Sequence, residues 1–147
     1  MTTRYCHPGA RGSVLIEALV GILIFSIGIL ALVAMQAESV RNTSEAKYRN
    51  DASYLANQII GRMWGDRANL ANYSHRPGGT PCAATGTAST YAGVTDWLAD
   101  VTSTLPNSTA TRQQIIIGAN NLVTVGLCWQ TGGGSPHNLV VSAQIQG

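Results

Sequence analysis

The stretch GSVLIEALVGILIFSIGILALVAM, from Gly12 to Met35, decides the fold of this chain of 147 residues. Its one charged residue is Glu17, and every residue from Ala18 to Met35 is uncharged. About 20 apolar residues in a helix are enough to cross a bilayer core of roughly 30 Å. An unpaired carboxylate in such a run costs on the order of 3 kcal/mol by insertion scales. The stretch therefore predicts a membrane-spanning helix in which Glu17 has a specific role.

Residues before the apolar run add a second signal. Arg4 and Arg11 precede Gly12, and Glu17 follows Gly12 by five residues. This order resembles the class III prepilin signal of type IV pilins and of the pseudopilins of type II secretion. The resemblance implies that prepilin peptidase cleaves after Gly12, that Ser13 becomes the methylated N-terminus, and that Glu17 is the acid of the mature helix. Major pilins usually begin with Phe, so a serine at this position favours a minor pilin.

Electrostatics alone also predicts a role for Glu17, independently of the resemblance to prepilins. Cleavage after Gly12 would create an ammonium group on Ser13, and in a bundle of such helices Glu17 of one subunit could pair with that amine of its neighbour. A buried charge is tolerated when paired and costly when alone, so the pair would set the axial register. The alternatives are a carboxylate that snorkels to the interface, or a tolerated polar residue in a plain anchor.

Charge gives no sign of a nucleic-acid partner. The whole chain has nine basic and seven acidic residues, a formal charge of +2. Removing Arg4 and Arg11 with the leader leaves 9 − 2 = 7 basic residues against seven acidic ones. Phosphate contacts need an excess of Lys or Arg. The neutral balance therefore argues against binding of nucleic acid.

Residues capable of catalysis do not form a recognisable set. Asp96 and Asp100 lie four apart on a short predicted helix, where we expect them to be solvated. His75 and His137 have no neighbours typical of nucleophilic or general-base chemistry. The glycines at 132–134 follow a predicted strand but open no helix and lack the lysine of a phosphate loop. The sequence predicts a non-enzymatic protein without a cofactor or metal.

Three cysteines divide between the leader and the rest of the chain. Cys6 would be removed with the leader, which leaves Cys82 and Cys128 in the part that would face an oxidising compartment. We predict that these two pair, which would contribute about 4 kcal/mol in the chain-entropy model. There is no CxxC and both histidines are isolated, which argues against a metal site. Two buried free thiols remain the alternative.

The predicted helix continues well beyond the membrane. No proline lies between Pro8 and Pro77, so the helix is expected from about Ser13 to about Trp64. After Gln36 its apolar positions recur every three or four residues, as on one face of a helix. The members of this stripe are Ala37, Val40, Ser44, Tyr48, Ala52, Leu55, Ile59 and Met63.

The remaining chain predicts a small head. Residues 65–90 have the composition of a loop, and Val94 to Leu105 have helical spacing with Thr95 as N-cap and Pro106 after the end. Three strand signals follow, over Gln113–Ile117, Leu122–Gln130 and Leu139–Ile145. They predict an antiparallel meander that covers the stripe from Val40 to Met63. The expected fold class is α+β, a long N-terminal helix packed on a small sheet, as in type IV pilins.

Two segments of the helix narrow the resemblance. Residues 26–36 and 55–63 are similar to the PilV family of minor pilins (type IV pilus modification proteins), as is the later run Cys128-Trp129-Gln130. Membership would imply a protein that primes or modifies type IV pilus assembly. Its partners would be prepilin peptidase, other minor pilins, the major pilin and the inner-membrane assembly platform.

The same resemblance implies a division of the chain into three parts. Residues 1–12 would be the leader, residues 13–36 the transmembrane and assembly half of the helix, and residues 37–147 the periplasmic head. The protein would cross the inner membrane once before it enters the pilus as a tip or minor component.

Three other functions fit parts of the sequence. A minor pseudopilin of type II secretion would share the helix and its processing. A DNA-uptake minor pilin would need a local basic patch, for which Arg62, Arg67 and Arg76 are the candidates. A membrane-anchored periplasmic enzyme would need a catalytic set, which the sequence does not display.

Overall fold

The N-terminal helix is as long as its sequence predicts. In this computed structural model, which describes residues 11–146 (with side chains from Val14 onward), α1 runs from Arg11 to Gly65. Its bounds confirm the expected span to within two residues at each end. Residues 1–10 of the predicted leader, with Arg4 and Cys6, lie outside the described residues. The chain separates into two compact units, residues 1–43 and residues 44–147.

The second unit contains the end of α1 and all the later elements. A 3-10 helix at Arg67–Tyr73 follows α1, and two further 3-10 turns lie at Ala110–Arg112 and Ala119–Asn121. The regular elements are β1 (Gly78–Thr80), β2 (Ala83–Thr85), α2 (Ala92–Thr104), β3 (Gln114–Ile117), β4 (Leu122–Trp129) and β5 (His137–Gln144).

Strands β3, β4 and β5 form an antiparallel sheet in that order. Ile115 of β3 lies opposite Val125 of β4, which in turn lies opposite Val141 of β5. Short connections between consecutive strands produce this order without a crossover. The predicted meander is confirmed, with strand ends shifted by one or two residues, and so is the α+β class.

The core of this unit is built from three elements. Buried apolar residues repeat at helical spacing on α1 and α2 and alternate along the sheet, as one-sided burial requires. The largest contributors are Leu55, Ile59, Met63, Val94, Trp97, Val101, Ile115, Val123, Leu127 and Trp129. The expectation that the sheet covers the α1 stripe from Val40 onward was wrong for its first part. Val40 is 66 % exposed, and full burial begins at Ala52.

A buried hydrogen bond joins α2 to α1. The indole Nε1 of Trp97 donates to the carbonyl oxygen of Leu55 at 2.8 Å, and Trp97 is fully buried. We expect Trp97→Phe to lower the free energy of unfolding by about 1–3 kcal/mol, because it removes this hydrogen bond and leaves part of the buried indole volume empty. Denaturant unfolding of the full chain in micelles measures this. Trp64→Phe is the matched control, since Trp64 is 43 % exposed; equal losses for both variants would contradict the prediction.

Two local expectations were wrong. Thr95 is not the N-cap of α2, because the helix begins at Ala92 after Tyr91, and the Thr95 hydroxyl donates back to the Ala92 carbonyl. Residues 65–90 are not simply loop, since they include a 3-10 helix and the β1–β2 hairpin. Strands of three residues are too short to show an alternating pattern, so the sequence gives no signal for this hairpin.

Candidate assembly site on the N-terminal helix

The first unit presents an extensive apolar surface along α1. Each large apolar side chain from Val14 to Met35 is between 45 and 72 % exposed. Within the described residues, α1 is the one helix long and apolar enough to cross a membrane. A soluble monomer rarely exposes a contiguous apolar patch of more than a few hundred Å². Such a surface is typical of a segment that lies in lipid or packs against other proteins.

Glu17 interrupts this surface and is itself exposed. The next acidic residue of α1 is Glu38, beyond the apolar run. No salt bridge within residues 14–146 includes the Glu17 carboxylate. Any ionic partner of Glu17 therefore comes from outside the described residues or from another molecule. Gly12 and Ser13 lie in the first turns of α1, where the structure describes their backbone only.

Polar atoms elsewhere in the apolar run are satisfied within the helix. The Ser26 hydroxyl donates to the carbonyl oxygen of Ile22 at 2.7 Å. Hydrogen bonds of this kind let a hydroxyl face hydrocarbon without losing a partner. Glu17 is thus the one group in this run whose charge calls for an external partner.

Cys82 and Cys128 form a disulfide, the pair expected from the sequence. The bond joins the turn of the β1–β2 hairpin to β4, and it closes a loop with a sequence separation of 46 residues. Cys128 is fully buried in the head. The cross-link therefore anchors the β1–β2 hairpin to the central strand of the three-stranded sheet.

The imidazole ring of His75 makes hydrogen bonds to the backbone of two other segments of the head. The backbone N–H of Ser89 donates to its Nδ1 at 3.1 Å, so the ring hydrogen lies on Nε2, which donates to the Ala110 carbonyl at 3.0 Å. His75 is 2 % exposed, and its backbone also bridges to Ile115 of β3. Both ring nitrogens are therefore used to hold three loops together.

His137 is not isolated, contrary to the expectation from sequence. Its Nε2 lies 2.9 Å from Oε1 of Glu45, and the Thr131 hydroxyl donates to the same carboxylate oxygen at 2.9 Å. The ring also stacks on Trp129. A catalytic triad places nucleophile and acid on opposite ring nitrogens. Here Thr131 and Glu45 both lie near Nε2, so the three side chains do not form the proton relay of a triad. They connect the β4–β5 loop to α1.

The three arginines of the candidate DNA patch each make an intramolecular contact. Asp100, which we expected to be solvated, pairs with Arg62 at 3.5 Å. Binding of phosphate groups would have to compete with these contacts, which weakens the case for such a patch. The hydrogen bonds run from Arg62 to the Gly93 carbonyl, from Arg67 to the Gln146 carbonyl and from Arg76 to the Ala84 carbonyl.

Asp66, just after α1, is a hub that the sequence did not reveal. Its Oδ2 accepts hydrogen bonds from the hydroxyls of Tyr91 and Tyr73, and its Oδ1 accepts one from Asn69. The Tyr91 hydrogen bond, followed by that of Asn69, holds the pKa of Asp66 below its ordinary value. Burial, followed by the hydrogen bond to Asp66, raises the pKa of Tyr73 to about 12.

These pKa shifts predict a pH dependence of stability. The folded pKa of Asp66 is lowered, so its contribution is present above the unfolded value of 3.8 and is lost as pH falls through the folded pKa. We expect Asp66→Asn to be less stable than wild type at pH 7 and to lose less stability on acidification. Denaturant midpoints between pH 7 and pH 2 measure this. Asp96→Asn, an exposed carboxylate of α2, is the control; an unchanged acid slope in Asp66→Asn would refute the prediction.

Comparison of this chain with known protein families, curated proteins and solved structures found no match.

Proposed function

We propose that this protein is a minor pilin of a type IV pilus. It would be inserted into the inner membrane as a precursor, cleaved after Gly12 by prepilin peptidase and methylated on Ser13. The mature subunit would then leave the membrane and join other minor pilins and the major pilin on the assembly platform. Its task would be to prime or modify pilus assembly.

One observation supports this proposal above the others. A single acid, Glu17, lies five residues after Gly12 in an apolar helix surface that has no other charge up to Met35. A plain anchor gains nothing from a carboxylate at this depth, since it costs on the order of 3 kcal/mol. A helix that assembles with copies of its kind can use the charge, because the amine of a processed neighbour supplies the opposite sign.

Assembly would then follow from two contributions of this segment. The exposed apolar side chains would exchange lipid for neighbouring helices, which supplies packing contacts without directional specificity. The pair between Glu17 and the Ser13 amine of the next subunit would supply that specificity. Two charges in a low-dielectric bundle are stable only when they meet, so the pair would fix one axial register.

Features of the head are compatible with export. The Cys82–Cys128 disulfide requires an oxidising compartment to form and persist. The sheet and α2 pack with the end of α1, from Ala52 to Met63, in a core of their own. In the proposed function this head would remain outside the membrane and contact other subunits.

Intact-mass and N-terminal analysis of the protein from its native membrane tests the proposal. The expected chain begins at methylated Ser13 and is two hydrogens lighter than its reduced form, because of one disulfide. A chain that retains Met1 to Gly12, or one cut beyond Met35, would overturn the proposal and leave an ordinary anchored or secreted protein.

A minor pseudopilin of type II secretion is supported by the same helix and the same acid. The two functions differ in the machine that takes up the processed subunit. Recovery of the protein in sheared surface pili supports the pilus. Its absence there, combined with a secretion defect on deletion, supports the pseudopilus instead.

A further inference from the structure

The two edges of the sheet differ in how their backbone groups are satisfied. The N–H of Ile145 donates to the Asn121 carbonyl at 3.0 Å, just beyond the Leu122–Gln144 pair that ends the β4–β5 ladder. Hydrogen-bonded pairs alternate along an antiparallel ladder. The odd-numbered residues of β5 therefore bond to β4, and the even-numbered residues direct their N–H and C=O groups to the outer edge. These are Asn138, Val140, Ser142 and Gln144.

The opposite edge, formed by β3, is covered at Ile115 by another part of the chain. Its outward residue Ile115 accepts a hydrogen bond from the His75 N–H at 3.0 Å and donates one to the His75 carbonyl at 2.8 Å. For β5, no backbone bond from residues 11–146 reaches the outward groups. The structure therefore leaves one edge of this sheet available for pairing.

The open edge lacks the features that usually block strand addition. Natural edge strands are protected by charged side chains, proline, bulges or short length. Strand β5 has the sequence HNLVVSAQ, without Lys, Arg, Asp, Glu or Pro, and it pairs with β4 without a bulge over all eight residues. Its outward residue Val140 is 47 % exposed.

We propose that β5 binds β5 of a second copy of this chain in an antiparallel pair. In the register centred on Val141, Val140 lies opposite Ser142 of the other copy, and Asn138 lies opposite Gln144. All outward groups of both strands then find partners, and no charges of like sign meet. This self-complementarity favours a second copy over a partner that carries a charged strand. This pairing would occur whether or not the protein enters a pilus.

Charge variants of Val140 test the pairing in the full chain. Wild type, Val140→Lys and Val140→Glu are compared in detergent micelles by light scattering over a concentration series, all with Cys6→Ser to exclude leader disulfides. We expect a wild-type dimer and, in each variant alone, a dissociation constant raised by about tenfold or more, because the two introduced charges are diagonal neighbours. An equimolar mixture of the Lys and Glu variants should restore the dimer.

Leu122→Lys is the matched control, because Leu122 is 46 % exposed but lies on β4, one strand inward. It should leave the dimer unchanged. If the copies associate through the apolar part of α1, neither Val140 variant would change the dissociation constant of the dimer. That result would overturn the proposal. A monomeric wild type would also overturn it, as would a mixture of Val140→Lys and Val140→Glu that stays monomeric while tryptophan fluorescence shows both to be folded.

Discussion

Replacing Glu17 by alanine is expected to reduce surface pili by about a hundredfold or more. The proposed pair places the Glu17 carboxylate against the Ser13 amine of the next subunit. Removal of one partner leaves the other charge buried and alone, which costs about 3–5 kcal/mol. Membrane insertion should remain, because alanine lowers the polarity of the apolar run. Counting pili by electron microscopy, with a blot for processed protein, measures both effects.

Glu38→Ala is the control for this experiment. Glu38 is an exposed acid on the same helix but lies beyond the apolar run, so its loss should leave pilus number near that of wild type. Normal pilus number in Glu17→Ala would contradict the assembly role of the acid. Equal loss in both variants would mean that charge along α1, and not the position of Glu17, governs assembly.

Removing the disulfide is expected to have the largest effect on the stability of the head. For a sequence separation of 46 residues, the chain-entropy model predicts that Cys82→Ala with Cys128→Ala lowers the free energy of unfolding by about 4 kcal/mol. Tryptophan fluorescence during denaturant unfolding reports the change, because Trp97 and Trp129 are fully buried in the head.

Cys6→Ser is the matched substitution, since it removes a thiol from the predicted leader and leaves the cross-link in place. Its unfolding midpoint should equal that of wild type. A reductant should lower the midpoint of wild type but not that of the double alanine variant. If the double variant were as stable as wild type, the cross-link would contribute nothing to folding.

The sequence alone was sufficient to predict the structural features that depend on a local pattern of residues. The span of α1 follows from an unbroken run between Pro8 and Pro77, and the β3–β5 meander follows from strand signals separated by short turns. The buried positions of α1 from Ala52 to Met63 follow from helical spacing. In each case the periodicity of side chains is a direct consequence of burial on one side.

Features that depend on contacts between distant residues could not be read from the sequence. Glu45 and His137 meet although 92 positions (137 − 45) separate them, and the Asp66 hub joins hydroxyls from two different elements. Helix α2 begins at Ala92, after Tyr91, although the side chain of Thr95 is intrinsically a better N-cap than that of Tyr91. Propensity is a weak influence, and tertiary packing overrides it at such positions.

The Cys82–Cys128 bond also limits how far this subunit can stretch. If the protein enters a pilus as proposed, it would be under tension, and a head that unfolds under load would extend between its two ends. The segment between the cysteines, with a sequence separation of 46, cannot contribute to that extension while the bond holds. At about 3.3 Å per residue, this withholds about 150 Å of contour length. An unfolded oxidised head would therefore act as a short tether, and a reduced one as a tether longer by that amount.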